Sequence, residues 1–154
     1  MKSVPFDVVA RSVEETREAG RELSLLLVPG AFIRLSGPLG AGKTELVRGL
    51  AEGLGVLPEE VASPTFALVH EYGPAGPPPL LVNVDLYSLP GDERLGAAIV
   101  GLGLDEAREA GAVVVVEWPE GLPVSPGDYE VKVTPERDGA RRIEVRRAPG
   151  TPGI

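Results

Sequence analysis

Two hydrophobic periods run through the chain, and the switches between them mark its elements. The run from Phe6 to Ala10 reads as a short strand, set at a sheet edge by Pro5, which has no N–H to give a ladder. Ser12-Val13-Glu14-Glu15 then fits a capping box, and the helix it opens carries Ala19, Leu23, Leu26 and Leu27 on one face up to Pro29-Gly30. Residues 31–35 are apolar and β-compatible. After a glycine-rich turn, Leu46, Val47, Leu50 and Leu54 share a second helical face, which Gly53 and Gly55 close. Residues 66–72 alternate as a strand, and residues 80–84 form a buried-looking one that ends in Asp85. Between them, residues 73–79 hold four prolines and read as a connection. Residues 90–111 predict a helix broken at Gly96, Gly101 and Gly103, with 105–110 helical. Ala112-Val113-Val114-Val115-Val116 is apolar throughout, as a strand covered on both faces should be, and it ends in Glu117. Residues 129–133 and 142–145 pair as a hairpin across Asp138-Gly139, and 148–154 read as a frayed tail.

Helices alternating with strands, closed by a hairpin, predict an α/β three-layer sandwich with a mixed, mainly parallel central sheet. One domain over residues 1–147 accounts for the whole pattern, and a chain of 154 residues buries roughly two-thirds of its unfolded surface. Charge narrows the partners. With 23 acidic and 15 basic residues the net charge is −8, which disfavours direct binding to an RNA or DNA backbone. No cysteine is present, so there is neither a disulfide framework nor a thiolate metal site. The N-terminal residues lack the apolar run of a signal peptide, and no stretch reaches the ~18 apolar residues of a membrane span. A cytoplasmic, membrane-free protein is the expectation.

The turn between residues 35 and 45 changes the picture most. Gly37-Pro38-Leu39-Gly40-Ala41-Gly42-Lys43-Thr44 satisfies G-x-x-x-x-G-K-[ST] at every fixed position, between a strand and a helix. A polyphosphate is a row of closely spaced negative charges. Its cradle needs backbone N–H groups aimed inward without side chains in the way, and three glycines supply that. The helix N-terminus adds partial positive charge. Lys43 would neutralise the outer phosphates, and Thr44 would offer its hydroxyl to Mg²⁺.

Nucleotide chemistry in such a loop also needs carboxylates, and these sit where buried strands end beside it. Asp85 and Glu117 both occupy such ends. One would hold the metal or its waters and the other would orient the attacking water, in either assignment. Thr65, within Ser63-Pro64-Thr65, falls where a switch loop would sense a terminal phosphate, and equally reads as a plain turn before a strand. His70 reads as a strand residue, and Trp118 as either core or a partner contact.

In order and spacing, the phosphate loop, Ser63-Pro64-Thr65-Phe66, Asp85-Leu86-Tyr87 and Glu117-Trp118-Pro119-Glu120 resemble the bacterial TsaE (formerly YjeE) ATPases of tRNA threonylcarbamoyladenosine biosynthesis. The resemblance spans about residues 12–145. It implies a P-loop NTPase-like fold, ATP and Mg²⁺ as cofactors, and action on a complex of TsaB and TsaD homologues, with tRNA met only indirectly. It associates Gly37, Gly40, Ala41, Gly42, Lys43, Thr44 and Glu45 with the nucleotide, and Val13 and Thr16 with the adenine. Arg141 of the hairpin is the arginine it brings to the nucleotide. Thr44, Glu117 and Asp85 fall to the metal, and Lys43, Asp85, Glu117 and Thr65 to catalysis. The chain departs from the family at Pro38, Glu45, Asn83 and Ser88, where members usually carry Asp, Thr, His and Arg. Two other classes share the loop: a small-molecule kinase, and a nucleotide-gated binding module with negligible turnover. A kinase of that kind carries arginines on a closing lid, whereas Arg141, Arg142, Arg146 and Arg147 fall in the hairpin.

Overall fold

The computed structural model describes residues 3–57, 69–73, 80–86 and 103–149. Among these residues, seven strands form one sheet in the order β1-β7-β6-β2-β5-β4-β3. They are β1 (Phe6–Ala10), β2 (Phe32–Ser36), β3 (Val69–Tyr72), β4 (Leu81–Asp85), β5 (Val113–Glu117), β6 (Tyr129–Pro135) and β7 (Arg141–Arg147). The four central strands, β6, β2, β5 and β4, run parallel, while the outer pairings β1–β7, β7–β6 and β4–β3 are antiparallel. Five of the seven strands therefore point the same way, the mixed and mainly parallel sheet that the pattern predicts. The hairpin forms across residues 137–139, with Val131 opposite Val145 and Val133 opposite Ile143.

Helix α1 (Val13–Leu26) begins as a capping box: Ser12 Oγ accepts from Glu15 N at 3.1 Å. The return bond reaches one residue further back than the standard motif, with Arg11 N donating to the Glu15 carboxylate at 3.3 Å. Helix α2 (Lys43–Gly53) follows the phosphate loop, and the short α3 is Leu104–Glu109. α1 and α2 cover one sheet face, where Leu23, Leu46, Val47 and Leu50 pack on Ile33, Leu35, Val115 and Val131. On the opposite face, Val82, Val84, Val114 and Val116 are covered from α3 by Leu104. Residues 66–68 of the expected strand and 90–102 of the expected broken helix lie outside the described residues, as does the tail from 150. Ala148, which the sequence placed with the tail, is instead buried and donates its N–H to Asp128 O at 2.7 Å.

Glycine sets the spacing of the α1–α2 pair. A Cβ at Gly49 would lie 2.0 Å from the Arg17 carbonyl oxygen, and one at Gly20 2.2 Å from the Leu46 carbonyl oxygen. Both obstacles are backbone, so a methyl group would force the helices apart. Gly49→Ala is expected to lower stability by about 2 kcal/mol in urea unfolding, because overpacking outweighs the gain in helix propensity. An unchanged midpoint would mean the helices can separate freely.

Candidate nucleotide-binding site

The phosphate loop leaves β2 at Ser36 and enters α2 at Lys43. Gly37, Gly40 and Gly42 have φ of 148°, 76° and 106°, conformations that side chains with a Cβ rarely adopt. Each serves a different need. A Cβ at Gly37 would strike the Val133 carbonyl oxygen at 2.4 Å, whereas the space beside Gly40 is open. Gly42 caps α2 without a side chain, leaving the first N–H groups of the helix facing the loop. Ala41 is buried and its N–H donates to Pro38 O at 3.2 Å, which closes the turn.

Lys43 is 6% exposed and turned back into its own loop. Its ammonium donates to Gly37 O at 2.7 Å and lies 3.8 Å from the centre of the Trp118 ring, a cation–π contact. Burial lowers the ammonium below its ordinary range, and Glu117, Asp85 and Glu120 pull it partly back. Trp118 is thus half-buried against the second core and at the same time a cover for the loop lysine. Its place beside Glu117 in the sequence suggests core or partner contact and gives no sign of this use.

Asp85 and Glu117 are register partners at the ends of β4 and β5, and Glu117 is also level with Leu35 of β2, two residues before the loop. Parallel pairing is what brings both acids to the loop's mouth. Glu117 is 6% exposed. Burial raises its carboxyl above the usual range and the Asp85 charge adds to this, opposed by Lys43 and by a hydrogen bond from Asn83. Asn83 must present its amide nitrogen to that carboxylate, and its Oδ1 is then buried with no hydrogen-bond partner. Opposite it in register is His70, stacked on Tyr72, with Nε2 likewise buried and unpartnered.

The remaining expected residues within the described chain lie on α1, α2 and β7. The Arg141 guanidinium lies over Gly42, 2.6 Å from where a Cβ would stand, and donates to Gly139 O at 3.1 Å. Glu45 accepts from Arg17 Nε at 2.7 Å and from Arg48. Burial pushes its carboxyl up, but the two arginines hold it below the usual range. That pairing sets the first turns of α1 beside the first turn of α2. Val13 there is exposed, while Thr16 is buried and its hydroxyl donates to Ser12 O at 2.9 Å. Thr44 is half-buried on the first turn of α2. Thr65 lies outside the described residues.

A strand–loop–helix phosphate cradle on a mixed α/β sheet, with acids at the ends of two neighbouring strands, defines a P-loop NTPase-like architecture. Residues 10–143 match the family described as "Threonylcarbamoyl adenosine biosynthesis protein TsaE". The chain belongs to the TsaE family. The tRNA threonylcarbamoyladenosine biosynthesis protein TsaE of Streptomyces coelicolor is 40% identical over 141 residues, covering 87% of this chain and 80% of its own. The protein of the same name from Treponema pallidum is 35% identical, with 89% and 97% covered. Among solved structures, Bacillus subtilis YdiB superposes with a TM-score of 0.67 at 29% identity, covering 95% of this chain and 86% of its own. Among the described residues, no helix is long and apolar enough to cross a membrane.

Proposed function

We propose that this chain is a cytoplasmic, Mg²⁺-dependent ATPase that supports threonylcarbamoyladenosine formation at position 37 of tRNAs reading codons that begin with A. It would do so by binding a TsaB–TsaD complex in its ATP state and resetting that complex on hydrolysis. The observation that carries this reading is the convergence of Lys43, Asp85 and Glu117 at the mouth of one phosphate loop. Family membership supplies the pathway, and the net charge of −8 fits a protein that leaves tRNA to its partners.

The residues present suit ATP and magnesium. Positive-φ glycines clear the backbone for phosphates, and two adjacent carboxylates against one ammonium leave net negative charge that a divalent cation would balance. Among the described residues no three metal-type side chains cluster. Mg²⁺ keeps several waters and takes one or two carboxylates plus phosphate oxygens, and the neighbouring Asp85 and Glu117 would supply the carboxylates. Thr44 and one of the two acids would hold it, and it would supply charge neutralisation at the phosphates. On binding, Lys43 would exchange the Gly37 carbonyl for phosphate oxygens. The acid not engaged by the metal would orient water. Arg141, lying on Gly42, would add a second cation at the loop.

Against a kinase lid, the other hairpin arginines are engaged within the fold. Arg142 pairs with Glu136 at 2.8 Å, Arg146 with Asp7 at 2.8 Å, and Arg147 covers Tyr129. The partner half of the proposal is tested by size-exclusion chromatography with purified TsaB and TsaD homologues. Co-elution is expected with ATP and Mg²⁺ and not without nucleotide. Absence of co-elution in every nucleotide state would remove the TsaB–TsaD complex from the reading.

A further inference from the structure

Arg34 is a buried charge that the mechanism above does not use. It lies within β2, 8% exposed, level with Val116 of β5 and Glu130 of β6. Burying a guanidinium is costly unless its donors are met. The Glu130 carboxylate is 4.0 Å from Nε, beyond hydrogen-bond length. Two backbone carbonyls take the donors instead. Nη2 donates to Pro119 O at 3.2 Å and Nη1 to Pro123 O at 3.3 Å. These carbonyls bracket the 3₁₀ turn that follows Glu117 and Trp118. The adjacent residue of β2 adds a third tie, with Leu35 O accepting from Trp118 N at 3.3 Å.

The turn held this way would not keep its shape unaided. Trp118 has φ 59° and ψ 55°, a left-handed conformation that aromatic side chains rarely adopt, and Pro119 restricts the residue before it further. Such a residue persists when its surroundings over-determine it. Its position decides what surrounds the loop lysine: the Trp118 ring lies against the ammonium, while Glu117 and Glu120, on either side of it in the chain, both act on its charge.

We propose that Arg34 is a positioning residue, which by clasping the Pro119 and Pro123 carbonyls fixes the left-handed Trp118 and so the arrangement of Glu117, Trp118 and Glu120 around Lys43. The planar fork suits the task, because two donors in fixed directions reach two carbonyls at once. A lysine, with one donor centre, would hold them less well.

Trp118 is the only tryptophan, so its emission reports on the turn directly. Arg34→Met keeps the aliphatic stem and removes the fork. Acrylamide quenching of Trp118 is expected to rise, and kcat for ATP hydrolysis to fall about tenfold while ATP affinity changes less than about threefold, since the loop still holds the phosphates. Arg34→Lys should fall between wild type and Arg34→Met on both readouts. Wild-type quenching in a folded Arg34→Met, even with a lowered Tm, would reduce Arg34 to packing and overturn the proposal. Raised quenching with unaltered kcat would equally overturn its link to the reaction. Should Arg34→Met fail to fold, Arg34→Lys decides by the same two readouts. The kinetic half rests on the ATPase reading: a wild type without hydrolysis defeats that reading, while quenching still decides whether Arg34 sets the turn.

Discussion

Lys43→Ala is expected to weaken ATP binding at least about 100-fold, or by about 2.7 kcal/mol, while leaving a folded protein. The lysine is already paired inside its loop, with Gly37 O at 2.7 Å and the Trp118 ring, so on the proposed reading ATP would exchange these contacts for charge-assisted bonds to phosphate. What the variant loses is the one cation of the phosphate motif, in a place where low exposure strengthens electrostatics. The fold should tolerate the change because burial already works against this ammonium. Isothermal calorimetry reads the affinity and circular dichroism the fold. Unchanged affinity would sink the phosphate-loop assignment.

Glu117→Gln separates activity from stability. Mg²⁺-dependent hydrolysis should fall about 100-fold, as for loss of a group that holds the metal or orients water. Undiminished hydrolysis would move that role to Asp85. Stability should change the other way. The Glu117 carboxyl titrates above the usual glutamate range in the folded chain, chiefly through burial and then through Asp85. Between the unfolded and folded values the native state holds more protons, so wild-type stability falls as pH rises through that window. The cost of the buried charge grows as pH rises through that window. Glutamine carries no charge, so the variant should melt higher at pH 7, with the difference shrinking on acidification and vanishing below about pH 4. A constant difference across pH would mean that Glu117 is not strained electrostatically.

Local signals carried most of the fold. The apolar run of residues 112–116 predicted a strand covered on both faces, and β5 is buried along its whole length. The capping box at Ser12, and Gly53 and Gly55 at the end of α2, set helix ends that the structure keeps. Strand order was less accessible, because nothing local says that β1 pairs with β7 or that β6 lies parallel beside β2. No local pattern marks Gly20 and Gly49, and only the close approach of α1 and α2 explains them.

The site divides along the same line. A contiguous motif is legible as a string, and strand-end acids are legible once the strands are. Contacts made across the sheet are not. Arg34 reads as one polar position in an apolar strand, Asn83 as a departure from a family pattern, and Trp118 as an aromatic beside an acid. Their roles depend on parallel register and on a left-handed backbone that no local propensity announces for tryptophan.

The most direct measurement is ATP hydrolysis by the purified chain with Mg²⁺, alone and then with the TsaB and TsaD homologues of the same organism. Slow Mg²⁺-dependent turnover that rises when they are added is the predicted result. ATP bound but not hydrolysed, with or without them, would contradict an ATPase and leave a nucleotide-gated binding module in its place.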